Sequence, residues 1–576
     1  MLFYALPRRP RQTMILTALW IAVSGALSVS FVLPRDFGGA SPVAAQVSPY
    51  VTLKDPAYRD LDVLVAHRLV GELLHAHRPY SRLTFARAVR EAREKAEGSE
   101  GRLSVRVLEA LDRLEGRFSE ELARLGCTAP SEGGNDACTT TRREARLRLA
   151  TLDLTGADSP TRDAREPQPG QRNDAVLNPL LQRNYGRQLY DGFTVSSEAE
   201  VDVYLLPNLA GQVSPRLRGS FDYPPGTEAV GATLSTAYVR TLWGKTFFDV
   251  GRTETLSGMT PDLSPLLSTN PRAITMIRVG NEHPTRLPWI FGWLGPTSLR
   301  FAVGSMGNER ANPGSTLTTI EASFRPHPNF EFGGALLSEQ GGKNVPELEW
   351  WERVVDTFGF ILYRRPFQWF DDDKSSTNKL LGVNARLQLP STPIFIFTEF
   401  ATEDDHNIFD FGNQGYWVNA AWVWGAEARG IGPGGRLDVR LAAMHNGPIM
   451  NSHGTLVSGL TLEGRTLGSP LGPSGSGGDL QAEWVGTDQV FKFTGALERY
   501  SGDDFRGRPH PVGGRVRIAN NPDELRARAT LEWIRGGLDS GFQTAIRVGA
   551  EQVTRWAYTD SDRTNVLGEL GVRYRW

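Results

Sequence analysis

From about Thr194 to Trp576 the hydrophobic pattern of this chain repeats every two residues, and that period restricts the second half to β-strands with one apolar and one polar face. Val201, Val203 and Leu205 alternate with Glu200, Asp202 and Tyr204, and Leu437, Val439 and Leu441 alternate with Arg436, Asp438 and Arg440. Similar runs recur at 234–242, 299–303, 320–324, 330–336, 381–389, 394–400, 416–424, 490–497, 525–533, 542–548 and 566–576. With the weaker runs included they predict about sixteen to eighteen strands, the size of a bacterial outer-membrane barrel.

A soluble β-sandwich also alternates, so three further features place the sheet in lipid. Many polar-face positions are ionised, which suits a wet lumen better than a compact soluble sheet. Trp243, Trp293, Trp350, Trp351, Trp369, Trp417, Trp422, Trp424, Trp484, Trp533 and Trp556 recur near predicted strand ends, where interfacial girdles form. The chain closes on Leu570, Val572, Tyr574 and Trp576, apolar at every second position and aromatic at the last. That ending resembles the signal by which the barrel assembly machinery recognises its substrates, with Val572, Tyr574 and Trp576 as its residues. Closing the sheet also removes the unpaired edges that hydrocarbon cannot satisfy.

The N-terminal part reads differently. Arg8, Arg9 and Arg11 precede an apolar run from Met14 to Leu33, and Pro42-Val43-Ala44-Ala45 offers small residues to a peptidase, so residues 1–45 read as a cleaved export signal. Residues 46–155 are expected to form a small helical periplasmic domain. Leu61, Leu64, Val65, Leu69 and Leu73 keep helical spacing, as do Leu103, Val107, Leu108, Leu111 and Leu114, while Ser81 is placed to cap a helix that Gly98 stops. Residues 156–193, rich in Asp, Arg, Pro, Gln and Asn, are expected to be a linker or plug, and 194–576 the barrel. Cys127 and Cys138, the only cysteines, flank a turn-rich spacer in an exported chain and are expected to form a disulfide worth about 2 to 3 kcal/mol.

Charge and motifs exclude several function classes. With 63 Lys+Arg against 65 Asp+Glu, the chain lacks the footprint of a nucleic-acid binder. No His-Glu-x-x-His, Gly-x-Ser-x-Gly or phosphate-loop pattern is present, so no catalytic residue, cofactor or metal is assigned. Asp404-Asp405-His406 and Asp371-Asp372-Asp373 read as solvated turns, and His445 and His453 as loop residues beside Asn446-Gly447-Pro448.

Several segments resemble the Wzi family of capsule assembly proteins: Leu266 to Ile274, Pro288-Trp289-Ile290-Phe291-Gly292-Trp293-Leu294-Gly295-Pro296, Asn308-Glu309-Arg310, Ser323 to Gly333, His453 to Gly459, and Gly464 to Gly468. The helical stretch holding Asp55-Pro56-Ala57-Tyr58-Arg59-Asp60-Leu61 adds to the likeness. The resemblance implies an eighteen-stranded outer-membrane barrel, a helical bundle near its periplasmic mouth, and a role in holding capsular or other exported polysaccharide at the cell surface. The long charged stretch from Glu97 to Arg183 departs from the family pattern. Among the residues themselves, Trp350, Trp351 and Trp369 interleave with Arg364, Arg365, Asp371, Asp372 and Asp373, a mixture of ring faces and polar groups that suits sugar binding. The same tryptophans also suit a membrane girdle, and the same chain could be a passive porin with a periplasmic anchor.

Overall fold

The computed structural model describes residues 47–98, 103–126, 143–166, 170–206, 208–221, 230–362, 377–403, 419–507, 515–538 and 540–576. Eighteen long antiparallel strands among them form one closed barrel. In chain order they are β1 (Glu144–Asp158), β2 (Gly192–Leu206), β3 (Leu209–Phe221), β4 (Val230–Trp243), β5 (Thr246–Thr253) and β6 (Ile274–Asn281). Next come β7 (Pro296–Ser305), β8 (Thr316–His327), β9 (Phe330–Gln340), β10 (Asn378–Gln388), β11 (Ile394–Glu403) and β12 (Ala421–Ile431). The last six are β13 (Leu437–Asn446), β14 (Gly475–Val485), β15 (Gln489–Tyr500), β16 (Glu524–Gly536), β17 (Gly541–Thr554) and β18 (Arg563–Arg575). The ladder closes at β1, where Leu154 pairs with Val195 of β2 on one side and Leu570 of β18 on the other.

The period of two becomes the two faces of this wall. Leu152, Leu217, Ile277, Leu441, Leu531 and Val548 point outward, exposed to what would be lipid, while charged neighbours on the same strands point inward. Turns at one end are short, such as 244–245 and 328–329, whereas the connections at the other end are long, including 159–191, 341–377 and 447–474. Outer-membrane barrels keep short turns on the periplasmic side, which makes the first end periplasmic.

The barrel starts earlier than the alternation indicates. β1 begins inside the 46–155 span expected to be helical and runs three residues past it, and the barrel is not confined to 194–576. A bulge at Arg148 is the physical reason: the register shifts between Leu147 and Leu149, so two half-strands of opposite phase blur the period. The described residues of the 159–191 connection that follows fold into the lumen, where Arg183 reaches Asp479 at 2.8 Å and Glu498 at 3.0 Å.

Ahead of β1 lie α1 (Ala57–Ala66), α2 (Arg82–Glu97), α3 (Val105–Arg117) and α4 (Ser119–Leu125). Ser81 caps α2 by accepting from Thr84 N, and Ser104 caps α3 by accepting from Val107 N. Their shared core holds Leu61, Leu64, Val107 and Leu111, with Phe85 stacked on Phe118 at 4.9 Å. Cys127 and Cys138 lie outside the described residues.

The bundle closes the periplasmic mouth through ionic contacts. Lys54 sits between Glu198 at 2.9 Å and Glu200 at 2.8 Å, Arg59 reaches Glu483 at 2.8 Å, and Tyr50 donates to Asp249 at 2.8 Å. From the opposite mouth, connections 254–273 and 447–474 fold inward and pack Leu266, Leu267, Met450, Leu460 and Leu467 together. Arg465 donates to Asn184 at 2.8 Å and to the Asn270 carbonyl at 3.0 Å, tying three inward segments into one plug. Between the two obstructions remains a chamber of about 410 Å³, lined in part by Lys54, Arg78, Glu427, Arg429 and Arg573. With both mouths filled, purified protein in a planar bilayer is expected to show no steady ion conductance; stable open-channel steps would contradict this packing.

Candidate functional site

The long connections gather at the extracellular end, and two structures stand there. The first is α5 (Trp350–Leu362), in the connection between β9 and β10. Its polar underside is fixed to the barrel rim: Asp356 pairs with Lys379 at 2.6 Å and accepts from Gln340 at 2.8 Å, and Glu352 caps the helix by accepting from Glu349 N at 2.8 Å. That anchoring leaves Trp350, 76% exposed, and the half-exposed Trp351 at the outer start of the helix. These two tryptophans therefore belong to an extracellular helix and not to the strand wall. Arg364, Arg365, Trp369, Asp371, Asp372 and Asp373 lie outside the described residues, as do Trp417, Asp404, Asp405 and His406.

The second is a cluster of rings and guanidinium groups on the rim formed by β15 to β18. Arg162, from the inward-folded segment, donates to Glu524 through Nε at 3.0 Å and Nη2 at 2.8 Å, a bidentate pair that fixes the guanidinium plane. Its carbon centre lies 5.3 Å from the Tyr500 ring and 5.0 Å from the Tyr558 ring. Arg526 binds the same Glu524 at 2.8 Å and lies 5.1 Å from the Trp556 ring. Arg165 approaches Tyr558 at 5.3 Å and donates to Asp504 at 2.5 Å.

The backbone of the connecting turn is committed to this arrangement. Arg555, Ala557 and Tyr558 have φ of 59°, 50° and 62°, left-handed values that cost non-glycine residues about 1 kcal/mol or more each. The Ala557 N–H donates to Glu524 at 2.7 Å, which helps hold the turn. Burial raises the Tyr558 hydroxyl above its ordinary pKa, against the opposing charge of Arg162, so it stays a neutral donor at physiological pH. Fixed rings with the Asp504 carboxylate held nearby through Arg165 offer what a sugar uses, an apolar face for stacking and an acceptor for hydroxyls.

Sequence reasoning missed this cluster. Arg162 and Arg165 fell in the linker or plug segment, and Trp556 was grouped with the membrane girdle. The available signal was Trp556-Ala557-Tyr558 inside a turn flanked by Arg555, Asp560 and Asp562, where no membrane interface is needed. Trp243, Trp424 and Trp484 do face outward from the strands. His445 is a strand residue and not a loop residue: it is next to last in β13, with its ring 5.5 Å from Trp422. His453 lies in the 447–474 connection, where it accepts from Leu456 N at 3.0 Å. No group of three or more potential metal ligands occurs among the described residues.

A closed barrel with an apolar outer wall, an ionic lumen and short turns at one end defines an outer-membrane β-barrel. The family model for capsule assembly protein Wzi matches residues 161–493, more than half of the chain. The chain belongs to the Wzi family of capsule assembly proteins. Its fold is similar to that of Wzi from Escherichia coli, described as an outer-membrane carbohydrate-binding β-barrel involved in group 1 capsule assembly. The two share 14% sequence identity with a TM-score of 0.62, over 92% of this chain and 100% of that one. OccD3 (OpdP) of Pseudomonas aeruginosa is a more distant likeness, at 13% identity and TM-score 0.40 over 78% of this chain and 93% of that one. No curated protein sequence matches the chain.

Proposed function

We propose that this protein binds capsular or other exported polysaccharide at its extracellular end and holds it on the outer membrane. Membership of a capsule assembly family carries the reading. The plugged lumen supports binding over passage, and the fixed rings at Trp350, Trp351, Trp556 and Tyr558 supply stacking faces of the right chemistry. The role is one of attachment without turnover. On the same reading, residues 1–45 direct export and are removed, and the barrel assembly machinery reads Val572, Tyr574 and Trp576. Cys127 and Cys138 pair in the periplasm; thiol labelling of denatured, unreduced protein should find no free cysteine, and two labelled thiols would contradict the pairing.

Two variants test the binding end. Replacing Trp350, Trp351 and Trp369 with alanine removes three stacking faces worth about 1 kcal/mol each, which weakens polysaccharide binding on the order of a hundredfold if all three engage. Trp556→Ala with Tyr558→Phe removes one ring and one hydroxyl from the second cluster. Both proteins should keep heat-modifiable migration on gels, the mark of an intact barrel. Wild-type binding to isolated surface polysaccharide by both variants would reject this end as the site.

A further inference from the structure

One motif in the chain serves neither the plug nor the extracellular end. Trp289–Leu294 form a short 3-10 helix of two turns in the connection between β6 and β7, at the periplasmic end, and none of its residues is buried. Trp289 is 94% exposed, Ile290 77% and Trp293 67%, with Phe291 half exposed. Connection 282–295 is fourteen residues long, where other turns at this end take two to five. Its base is well held: Asn281 donates to the His283 and Thr297 carbonyls at 2.6 and 2.9 Å, and Glu282 accepts from Ser81 at 2.6 Å. Gly295, at φ 71°, lies where a Cβ would come within 2.0 Å of the Arg325 carbonyl oxygen, so the apolar tip is pinned against the end of β8. A firmly held base presenting four large apolar side chains outward is a built feature, because an exposed cluster of this size in water is costly.

We infer that this short helix is an interfacial anchor that inserts into the periplasmic leaflet of the outer membrane, at the boundary of headgroups and acyl chains. Two observations select lipid over another protein. The helix continues an aromatic belt on the outer wall at the same end, formed by Trp243, Trp484, Phe542 and Trp576, which already meets lipid. The run from Leu287 to Pro296 carries no charge, while the exposed Lys245 and Arg286 stand around its base, the arrangement in which aromatic and aliphatic side chains enter the bilayer and cations stay with the phosphates. By gripping the leaflet beside the bundle, the helix resists tilting of a barrel pulled from outside by a long polymer.

A spin label at Ile290 (Ile290→Cys) or Trp293 (Trp293→Cys), in a Cys127→Ser and Cys138→Ser background that keeps heat-modifiable migration, reports the surroundings in phosphatidylethanolamine and phosphatidylglycerol vesicles. The inference expects relaxation enhancement by dissolved oxygen to exceed that by a water-soluble nickel chelate several-fold, matching a label at Trp243 in the belt. Nickel access like that of a label at Asp560 would overturn it, as would exclusion of both reagents or dipolar broadening between copies. Where the cysteine-free background does not fold, quenching by brominated lipid decides. Replacing Trp289 and Trp293 with phenylalanine should lower the quenched share of tryptophan emission, and an unchanged share would overturn the inference.

Discussion

Replacing Asp60 with alanine is expected to unfold the helical bundle while the barrel stays intact. Asp60 accepts from Arg106 at 2.7 Å and from Arg113 at 2.9 Å, with Arg59 at 3.8 Å, and Arg106 has no exposed surface. Burial opposes ionisation of this carboxyl, yet Arg106, Arg113 and Arg59 outweigh it and hold its pKa well below the usual carboxylate range. Deleting the carboxylate leaves a buried guanidinium without its partner, a change that costs about 3 to 5 kcal/mol. That is comparable to the whole stability of a small four-helix unit. Limited proteolysis should then cut within residues 57–125 while the remaining fragment keeps heat-modifiable migration; wild-type resistance would contradict the assignment. Because the folded pKa is depressed, the stabilisation is fully present above the unfolded carboxylate value and is lost as pH falls through it towards the folded one. The wild-type bundle should therefore loosen on acidification, at a pH where the alanine variant changes no further.

The second large effect is expected at the last residue. Trp576→Ala should lower the amount of barrel in the outer membrane several-fold with little change in the heat resistance of whatever assembles. The local packing is modest: Trp576 is 53% exposed and touches Tyr574 edge-on at 4.4 Å, while Tyr574 meets Phe542 at 4.6 Å. Folding energy thus gains little from this ring, so under the proposed assembly role its loss acts on recognition and not on the stability of the finished barrel. Wild-type surface amounts of the alanine variant would remove the support for Val572, Tyr574 and Trp576 as an assembly signal.

These cases show where the sequence was legible. A wall with lipid on one side and water on the other imposes a strict period of two, so most strands were readable, and Ser81 announced its helix through the chemistry of capping. β1 was hidden because one bulged residue, Arg148, inverts the phase halfway along. The lumen plug was less readable still, because residues such as Arg183 and Arg465 bury their charge only against distant partners, Glu498 and Asn270, that no local pattern reveals. The same reason conceals the rim cluster: Arg162 meets Glu524 and Tyr558 across more than 350 positions of sequence. Trp350 and Trp351 were visible as residues, but their placement on an extracellular helix depended on the buried contacts of Asp356 and Glu352.

The most direct measurement is the partition of polysaccharide in a strain carrying a clean deletion of this gene. Attachment after export predicts that total polysaccharide is nearly unchanged, the cell-bound share falls and the share in the medium rises, with restoration by the intact gene. An unchanged cell-bound share would contradict the account, and so would loss of total polysaccharide without release into the medium.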